Sequence, residues 1–333
     1  MGGGMWSTNI YDERALGKAR AGIPTFGYHA HLSSMPRTAW KPHDTMDPLG
    51  VNVRESRDSV EHPESLAIAV ILDDTGSMLD IPRTLQTKLP ELHGLILRKG
   101  YVEHPQIIFG AVGDATCDAV PLQVGQFESD NRMDENLESL VLEGGGGGQK
   151  TESYELALYF MARHTAIDCW EKRRKKGYLF LIGDEMAYGK VKRAEVQKII
   201  GRDLPQDISV SQIVHELEER YHVFFILPKN ASHGGDPQVL GFWKKLLGQN
   251  VIELDDPEAV CEVIALMIGM SEESIDLKEG VEHLEEWGVA PKTVQSVSLA
   301  LQPIAARSMV KGWGGLLPGL SVAGSGPRTA RRM

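Results

Sequence analysis

The most chemically suggestive segment of this 333-residue chain is DDTGSM at residues 73–78, which begins at the last residue of an apolar run over residues 65–73. The segment places Asp73, Thr75 and Ser77 at alternate positions of one turn. Short polar side chains two residues apart on a loop can point toward the same centre. A carboxylate and two hydroxyls offer only oxygen atoms, which are the ligands that hard cations such as Mg²⁺ prefer. The segment therefore predicts part of a divalent-cation site.

Two later segments supply further oxygen atoms. Thr151 follows a run of five glycines and lies at the start of a predicted helix over residues 151–165. Asp184 and Glu185 directly follow an apolar run at residues 178–183. With Thr151 and Asp184, the candidate ligand set comprises two carboxylates and three hydroxyls.

The pattern around these residues predicts the fold that must position them. Continuous apolar runs predict strands buried on both faces of a sheet, at 65–73, 106–112, 178–183, 222–228 and 250–254. Amphipathic segments between them predict helices at 79–99, 151–165, 209–220, 236–247 and 257–270. Segment 118–124 follows its predecessor too closely for a helical crossover, so we predict that it pairs antiparallel at the sheet edge. The expected fold is α/β and doubly wound, a mostly parallel six-stranded sheet with one antiparallel edge strand and helices on both faces.

In a doubly wound sheet, ligands bind outside the carboxyl ends of the strands. All five candidate residues are predicted to lie at that edge. We assign residues 64–270 to this domain and residues 1–63 to an extended arm that packs on it. Residues 271–310 are predicted to form a short helical extension, and the Gly/Pro/Ser-rich residues 311–333 a disordered tail.

Composition narrows the classes of partner. The formal net charge of -11 argues against nucleic acid and anionic membranes, which are usually bound by a basic excess. No window approaches the roughly 18 apolar residues needed to span a bilayer. The three cysteines are widely spaced and form no CxxC motif. These features predict a cytoplasmic protein with reduced thiols.

The segments VILDDTGSM, GGGGQKTESYELAL and FLIGDE together resemble the von Willebrand factor A (vWA) family. That family carries a metal-ion-dependent adhesion site built from D-x-[ST]-x-S, a distant threonine and a distant aspartate. Position by position, those roles fall on Asp73, Thr75, Ser77, Thr151 and Asp184. The resemblance covers about residues 64–270. The chain departs from the family in its longer glycine run and in Glu185, where the family often has glycine.

The resemblance implies a cofactor and a mode of action. Thr75, Ser77 and Thr151 would bind Mg²⁺ (or Mn²⁺ or Ca²⁺) directly, while Asp73 and Asp184 would act largely through waters and hydrogen bonds. Neutral direct ligands leave the ion electrophilic, with a position open to an Asp or Glu carboxylate of a partner protein. The expected function is thus protein binding rather than catalysis. By analogy with intracellular relatives, the partner could be an AAA+ ATPase of the MoxR type.

The residues leave two alternatives open. In the first, the same ion activates water in a metal-dependent hydrolase or phosphatase, with Glu185 or Asp114 as the base. Asp114, Glu128 and Glu185 are candidate rim residues under either hypothesis. In the second, the fold binds no metal, and Asp73 and Thr151 only cap helices.

Two other motifs are only partly matched by the sequence. A nucleotide-binding P-loop needs glycine where this chain has Gln149, immediately before Lys150. The DTG sequence at 74–76 also occurs in aspartic proteases, but those enzymes need two such aspartates, and this chain has one DTG.

Overall fold

The computed structural model describes residues 4–78, 80–144 and 150–311. The strands are β1 Arg54–Ser56, β2 Leu66–Asp73, β3 Pro105–Val112, β4 Leu122–Val124, β5 Thr151–Glu152, β6 Thr165–Ile167, β7 Gly177–Ile182, β8 Met186–Ala187, β9 Lys190–Val191, β10 Ile208–Ser209, β11 Tyr221–Pro228 and β12 Val251–Leu254. The helices are α1 Thr8–Ala21, α2 Gly27–Ser33, α3 Asp80–Arg98, α4 Arg132–Glu138, α5 Tyr154–Arg163, α6 Asp168–Arg173, α7 Arg193–Glu195, α8 Val210–Glu218, α9 Pro237–Leu247, α10 Val260–Ser271, α11 Leu277–Glu286 and α12 Pro291–Lys311. Shorter helical turns lie at Arg37–Ala39, Gly76–Met78, Val196–Ile200 and Pro257–Ala259.

Six strands form the main sheet, in the order β12-β11-β7-β2-β3-β4. Neighbouring strands run parallel except β4, which pairs antiparallel with β3 at one edge. The prediction of an α/β fold with a mostly parallel six-stranded sheet is confirmed, and the antiparallel strand is the one expected from its short connection.

Continuous apolar sequence explains why the strands take central positions. All eight residues of β2 and all eight of β3 are buried. Because successive strand residues face opposite sides, this burial means that both faces of the sheet are covered. Helix α3 packs against α10, and α5 packs against α8.

The structure corrects the predicted start of the helix after the glycine run. Helix α5 begins at Tyr154, and Thr151 instead lies in the two-residue strand β5, which pairs in parallel with β8. The backbone of Lys150 takes part as well, because its carbonyl accepts a hydrogen bond from the Met186 N–H at 3.0 Å. A pairing this short has no hydrophobic alternation, so the sequence pattern carries no signal for it.

The segment before β2 makes several contacts with the sheet domain. In α1, the Tyr11 hydroxyl donates to the carbonyl of Gln86 on α3 at 2.8 Å. Met46 is fully buried within the main hydrophobic core. Strand β1 pairs in parallel with β6.

The C-terminal part contains α11 and α12. Asp276 and Glu279 form a reciprocal capping box at the start of α11, which fixes the beginning of that helix. Disorder was predicted for residues 311–333; Lys311 is instead the last residue of α12, and residues 312–333 lie outside the described residues. Among the helices that the structure describes, none combines the length and apolar character needed to cross a bilayer.

Candidate metal site

The two predicted aspartates meet at the carboxyl edge of the main sheet. Asp73 is the last residue of β2, and Asp184 lies two residues beyond β7, which pairs in parallel with β2. Both are fully buried. Burial is the largest cause that raises the pKa of Asp73, to about 6, and the negative charge of Asp184 raises it further. The topology therefore places two carboxylates within electrostatic reach of each other.

Hydrogen bonds fix both oxygens of Asp73. Thr75 donates to Oδ1 from its backbone N–H at 2.9 Å and from its hydroxyl at 2.5 Å. The Tyr154 hydroxyl donates to Oδ2 at 2.6 Å. A hydroxyl that donates its proton keeps lone pairs that can still ligate a cation, so this arrangement leaves Thr75 Oγ1 able to bind an ion.

Tyr154 reaches Asp73 across a glycine. A Cβ atom at Gly183 would lie 1.8 Å from the Tyr154 hydroxyl oxygen, so no other residue type fits beside this side chain. Trp243 and Phe225 contact the Tyr154 ring edge to face, at centroid distances of 5.4 and 5.9 Å. The ring is thereby held in the orientation that presents its hydroxyl to Asp73.

The two remaining predicted ligands lie on separate segments, one directly after β2 and one directly before α5. Ser77 lies in the turn Gly76–Met78, directly after β2. Thr151 is half-buried in β5. Burial raises the pKa of Tyr188, and hydrogen bonding with the Thr151 side chain opposes that rise. The same Tyr188 hydroxyl donates to Asp114 Oδ2 at 3.0 Å, so Tyr188 connects Thr151 with Asp114.

A loop after β11 closes over the second aspartate. The His233 N–H donates to Asp184 Oδ2 at 2.8 Å. Its ring Nε2 lies 3.7 Å from Glu185 Oε1. The Glu185 carbonyl in turn accepts a hydrogen bond from Trp243 Nε1 at 2.7 Å. His233 and Glu185 therefore lie beside Asp184.

The site holds more buried carboxylates than the sequence predicted. Asp74 and Glu152 are almost fully inaccessible, and neither Asp74 Oδ1, Glu152 Oε2 nor Glu185 Oε2 has a hydrogen-bond partner among the described residues. Burial, followed by the charge of Asp73, raises the pKa of Glu152 to about 11 and that of Glu185 to about 8. No lysine or arginine in the described part of the chain forms an ion pair with Asp73, Asp74 or Glu152. The raised pKa values mean that the charged forms of these carboxyl groups are costly to bury here without a cationic partner, and a divalent cation would offset that cost.

The described residues that flank the glycine run contact the sheet domain on both sides. On the N-terminal side, the Gly144 N–H donates to the Asp74 carbonyl at 3.2 Å, and Glu143 accepts the Val120 N–H at 2.6 Å. Arg37 forms an ion pair with the Glu143 carboxylate. On the C-terminal side, Lys150 pairs with Asp236. Gly144 is thus joined to the residue after Asp73, and Lys150 to the start of α9.

Glu128 does not belong to the rim. Its backbone pairs with Ile107, near the start of β3, through hydrogen bonds of 2.8 and 3.0 Å. Ile107 precedes the end of β3 at Val112 by five residues, or about 16 Å of extended strand. Glu128 forms an ion pair with Arg132 at 2.9 Å. The antiparallel course of β4 explains the difference, because it carries the chain back toward the opposite edge of the sheet.

The predicted metal ligands differ from those of a site built only from Asp, Glu, His and Cys side chains. Within residues 4–78, 80–144 and 150–311, no three side chains of those four types are grouped as metal ligands. The predicted set instead combines hydroxyls with only two carboxylates. What favours a cation at this sheet edge is that Asp74, Glu152 and Glu185 each keep one buried carboxylate oxygen without a hydrogen-bond partner among the described residues.

Several residues of the site were not identified from the sequence. Tyr154 lies within the predicted helix over residues 151–165, and nothing in the local sequence distinguishes it. Glu152 was assigned to the first turn of that helix, and Asp74 was read only as part of the motif. Gln123, on β4, donates to Asp74 Oδ2 at 2.9 Å. Of these residues, only Asp74 could have been identified from the sequence, because it is a second acidic residue directly after Asp73.

Comparison with known proteins identifies no family. No family model matches the chain, and no curated protein matches its sequence. Among solved structures, the pilus adhesin SpaC from Lactobacillus rhamnosus GG has 9% identity and a TM-score of 0.42, covering 65% of this chain and 31% of SpaC. Proximal thread matrix protein 1 from the mussel byssus has 12% identity and a TM-score of 0.40, covering 61% of this chain and 47% of its own length.

These likenesses are too distant to support a conclusion about family or function. The chain spans about a third to a half of the length of the solved structures it matches. The function must be inferred from the site itself.

Proposed function

We propose that this chain is a protein-binding module whose vWA-like, Rossmann-like domain carries a metal-ion-dependent adhesion site. In this proposal Mg²⁺, or Mn²⁺ or Ca²⁺ in its place, captures an Asp or Glu carboxylate of a partner protein. A MoxR-type AAA+ ATPase remains the candidate partner by analogy alone.

One observation carries the proposal. Asp73 and Asp184 lie buried at the same sheet edge, together with Asp74, Glu152 and Glu185, and three carboxylate oxygens of this group have no partner among the described residues. Such a group of acids favours a bound cation. The hydroxyl of Thr75, oriented by Asp73, supports the same interpretation.

Each residue would have a distinct part in holding the ion. Thr75, Ser77 and Thr151 would offer neutral hydroxyl oxygens. Asp73 would orient Thr75, as it does through the 2.5 Å hydrogen bond, and Asp184 would supply negative charge from the β7 side. The bound ion would contribute an electrophilic position for an external carboxylate.

Addition of Mg²⁺ or Mn²⁺ is expected to raise the thermal stability of the intact chain. A ligand present at 100 times its Kd stabilises the folded state by about 2.7 kcal/mol. For a chain of 333 residues that corresponds to an increase in Tm of roughly 4 °C. The measurement is a thermal melt with and without millimolar ion, and after removal of the ion with EDTA.

Two double variants make this experiment specific. Ser77→Ala with Thr151→Ala should abolish the metal-dependent increase in Tm. Thr87→Ala with Ser211→Ala removes two exposed hydroxyls on α3 and α8 and should leave the increase intact. An equal increase in both double variants, or none in the unmodified chain, would rule out the proposed site.

A hydrolase is the second candidate, because one observation favours it. His233 Nε2 lies 3.7 Å from Glu185, and the His233 backbone binds Asp184, so a histidine and a carboxyl group stand beside the proposed ion. Such a pair could serve as general base. Turnover of generic phosphoesters with Mg²⁺ or Mn²⁺, lost in Asp73→Ala, would favour this alternative over the binding function.

A further inference from the structure

The edge of the main sheet opposite β4 is open. Strand β12 is the last strand in the order and pairs only with β11 among the described strands. The Phe225 N–H donates to the Asn250 carbonyl at 2.9 Å, and the Lys229 N–H donates to the Leu254 carbonyl at 2.8 Å. Alternate residues of a parallel strand bond to the same neighbour, so Val251 and Glu253 turn their N–H and C=O groups outward.

A groove of about 570 Å³ lies along this outward side. Val251 and Glu253 line one wall, and Leu299, Pro303 and Ile304 of α12 line the other. Proline has no N–H, so Pro303 cannot donate to the Leu299 carbonyl one turn earlier. The Leu299 side chain is 52% exposed. The groove therefore offers outward backbone groups on one wall and exposed apolar surface on the other.

The charged side chains in the groove neutralise one another. Lys229 pairs with Asp255 at 2.9 Å, and Lys244 pairs with Glu253 at 3.0 Å. A charged occupant would gain no net attraction here. The chemistry fits an uncharged, partly apolar segment in extended conformation, which could hydrogen-bond to the strand edge.

We propose that the uncharged segment at residues 312–327 of this same chain docks in the groove and extends the sheet beyond β12. The sequence GWGGLLPGLSVAGSGP contains no charged residue and includes Leu316, Leu317, Leu320 and Val322. These side chains match the exposed apolar wall of α12, and the backbone of the segment supplies partners for Val251 and Glu253. The Gly/Pro/Ser-rich composition, from which disorder was predicted, is compatible with this docking, because a disordered segment can become ordered when it binds.

The position of the segment supports this occupant over others. Helix α12 forms one wall of the groove and ends at Lys311, seven residues beyond Ile304. Seven helical residues span only about 10 Å. The following 16 residues can extend about 50 Å, so the segment can return along the groove without moving α12. An occupant tethered this closely competes at high effective concentration with any free partner.

Amide hydrogen exchange of the full chain tests the proposal. The inward amides of Ile252 and Leu254 serve as the internal reference, because they face β11 in any case. If a further strand bonds to them, the outward amides of Val251 and Glu253 should exchange with solvent at least about ten times more slowly than unpaired amides. Replacing Leu320 and Val322 by proline together removes two backbone donors and should restore fast exchange at the outward amides only. Ala330→Pro, beyond the uncharged segment, is the matched control and should change nothing.

Three outcomes would overturn the proposal. Fast exchange of Val251 and Glu253 in the unmodified chain would mean that nothing pairs with the edge. Protection that survives the double proline variant would assign the edge to another occupant. Protection that increases with protein concentration would assign it to a second copy of the chain. Each result is independent of metal, so failure here leaves the proposed cation site unaffected.

Discussion

Replacement of Gly183 by alanine is expected to destabilise the chain by at least about 3 kcal/mol, since overpacking and the loss of a buried hydrogen bond act together. The added Cβ would lie 1.8 Å from the Tyr154 hydroxyl oxygen and 2.7 Å from Cζ of that ring. Tyr154 has no free space to enter, because it is fully buried against Trp243 and Phe225. Displacement of the Tyr154 ring would also break the 2.6 Å hydrogen bond that its hydroxyl donates to Asp73.

The measurement is chemical denaturation of the variant beside Gly241→Ala. A Cβ at Gly241, inside α9, meets no atom within 4 Å, so alanine there should be neutral or stabilising by up to about 1 kcal/mol. Tyr154→Phe removes the nearest clashing atom and should partly rescue Gly183→Ala. Equal unfolding free energies for the two alanine variants would contradict the packing described around Tyr154.

Replacement of Gln123 by leucine is expected to lower the free energy of unfolding by at least about 3 kcal/mol, because it leaves three buried polar groups unpaired. Gln123 is fully buried on β4, and its Nε2 donates to Asp74 Oδ2 at 2.9 Å and to the Val141 carbonyl at 2.8 Å. Its Oε1 accepts the Val141 N–H at 2.8 Å. Leucine has a similar volume, so the loss would come from hydrogen bonding rather than from a cavity.

Gln238→Leu is the matched control for this variant, since Gln238 is exposed on α9. That change should stay within about 0.5 kcal/mol of the unmodified chain. Adding Asp74→Leu to Gln123→Leu should recover part of the loss, because it removes one of the stranded groups. A Gln123→Leu variant as stable as the Gln238→Leu variant would show that Gln123 does not hold Asp74 in place.

The main sheet was predictable because its strands carry a strong and local signal. A run such as SLAIAVILD is too short for a buried helix and rich in branched residues, and it forms β2 one residue later than predicted. Helix α8 was expected at 209–220 and extends over Val210–Glu218. By contrast, α2 and the helical turn Val196–Ile200 were not predicted, because neither segment has sustained periodicity.

The site was only partly predictable because much of it depends on distant contacts. The topology of the parallel strands determines that Asp73 and Asp184 share an edge, so their neighbourhood followed from the predicted fold. The contact between Tyr154 and Asp73 joins residues 81 positions apart and has no local pattern. The prediction that Thr151 begins a helix was wrong for a related reason, because Thr151 lies in β5, and the pairing of β5 depends on the distant strand β8. Glu152 entered the site together with Thr151.

Direct titration of Mn²⁺ followed by electron paramagnetic resonance tests the central claim, since free and bound ions give separable signals. The intact chain should bind one ion at the Asp73–Asp184 edge. Asp73→Ala should lose this binding, while Asp130→Ala, which removes an acid paired with Arg132 on the segment that follows Glu128, should retain it. One bound ion in the intact chain, absent only from Asp73→Ala, is the predicted result. No bound ion at millimolar Mn²⁺, or the same ion bound by Asp73→Ala, would contradict the metal-dependent function.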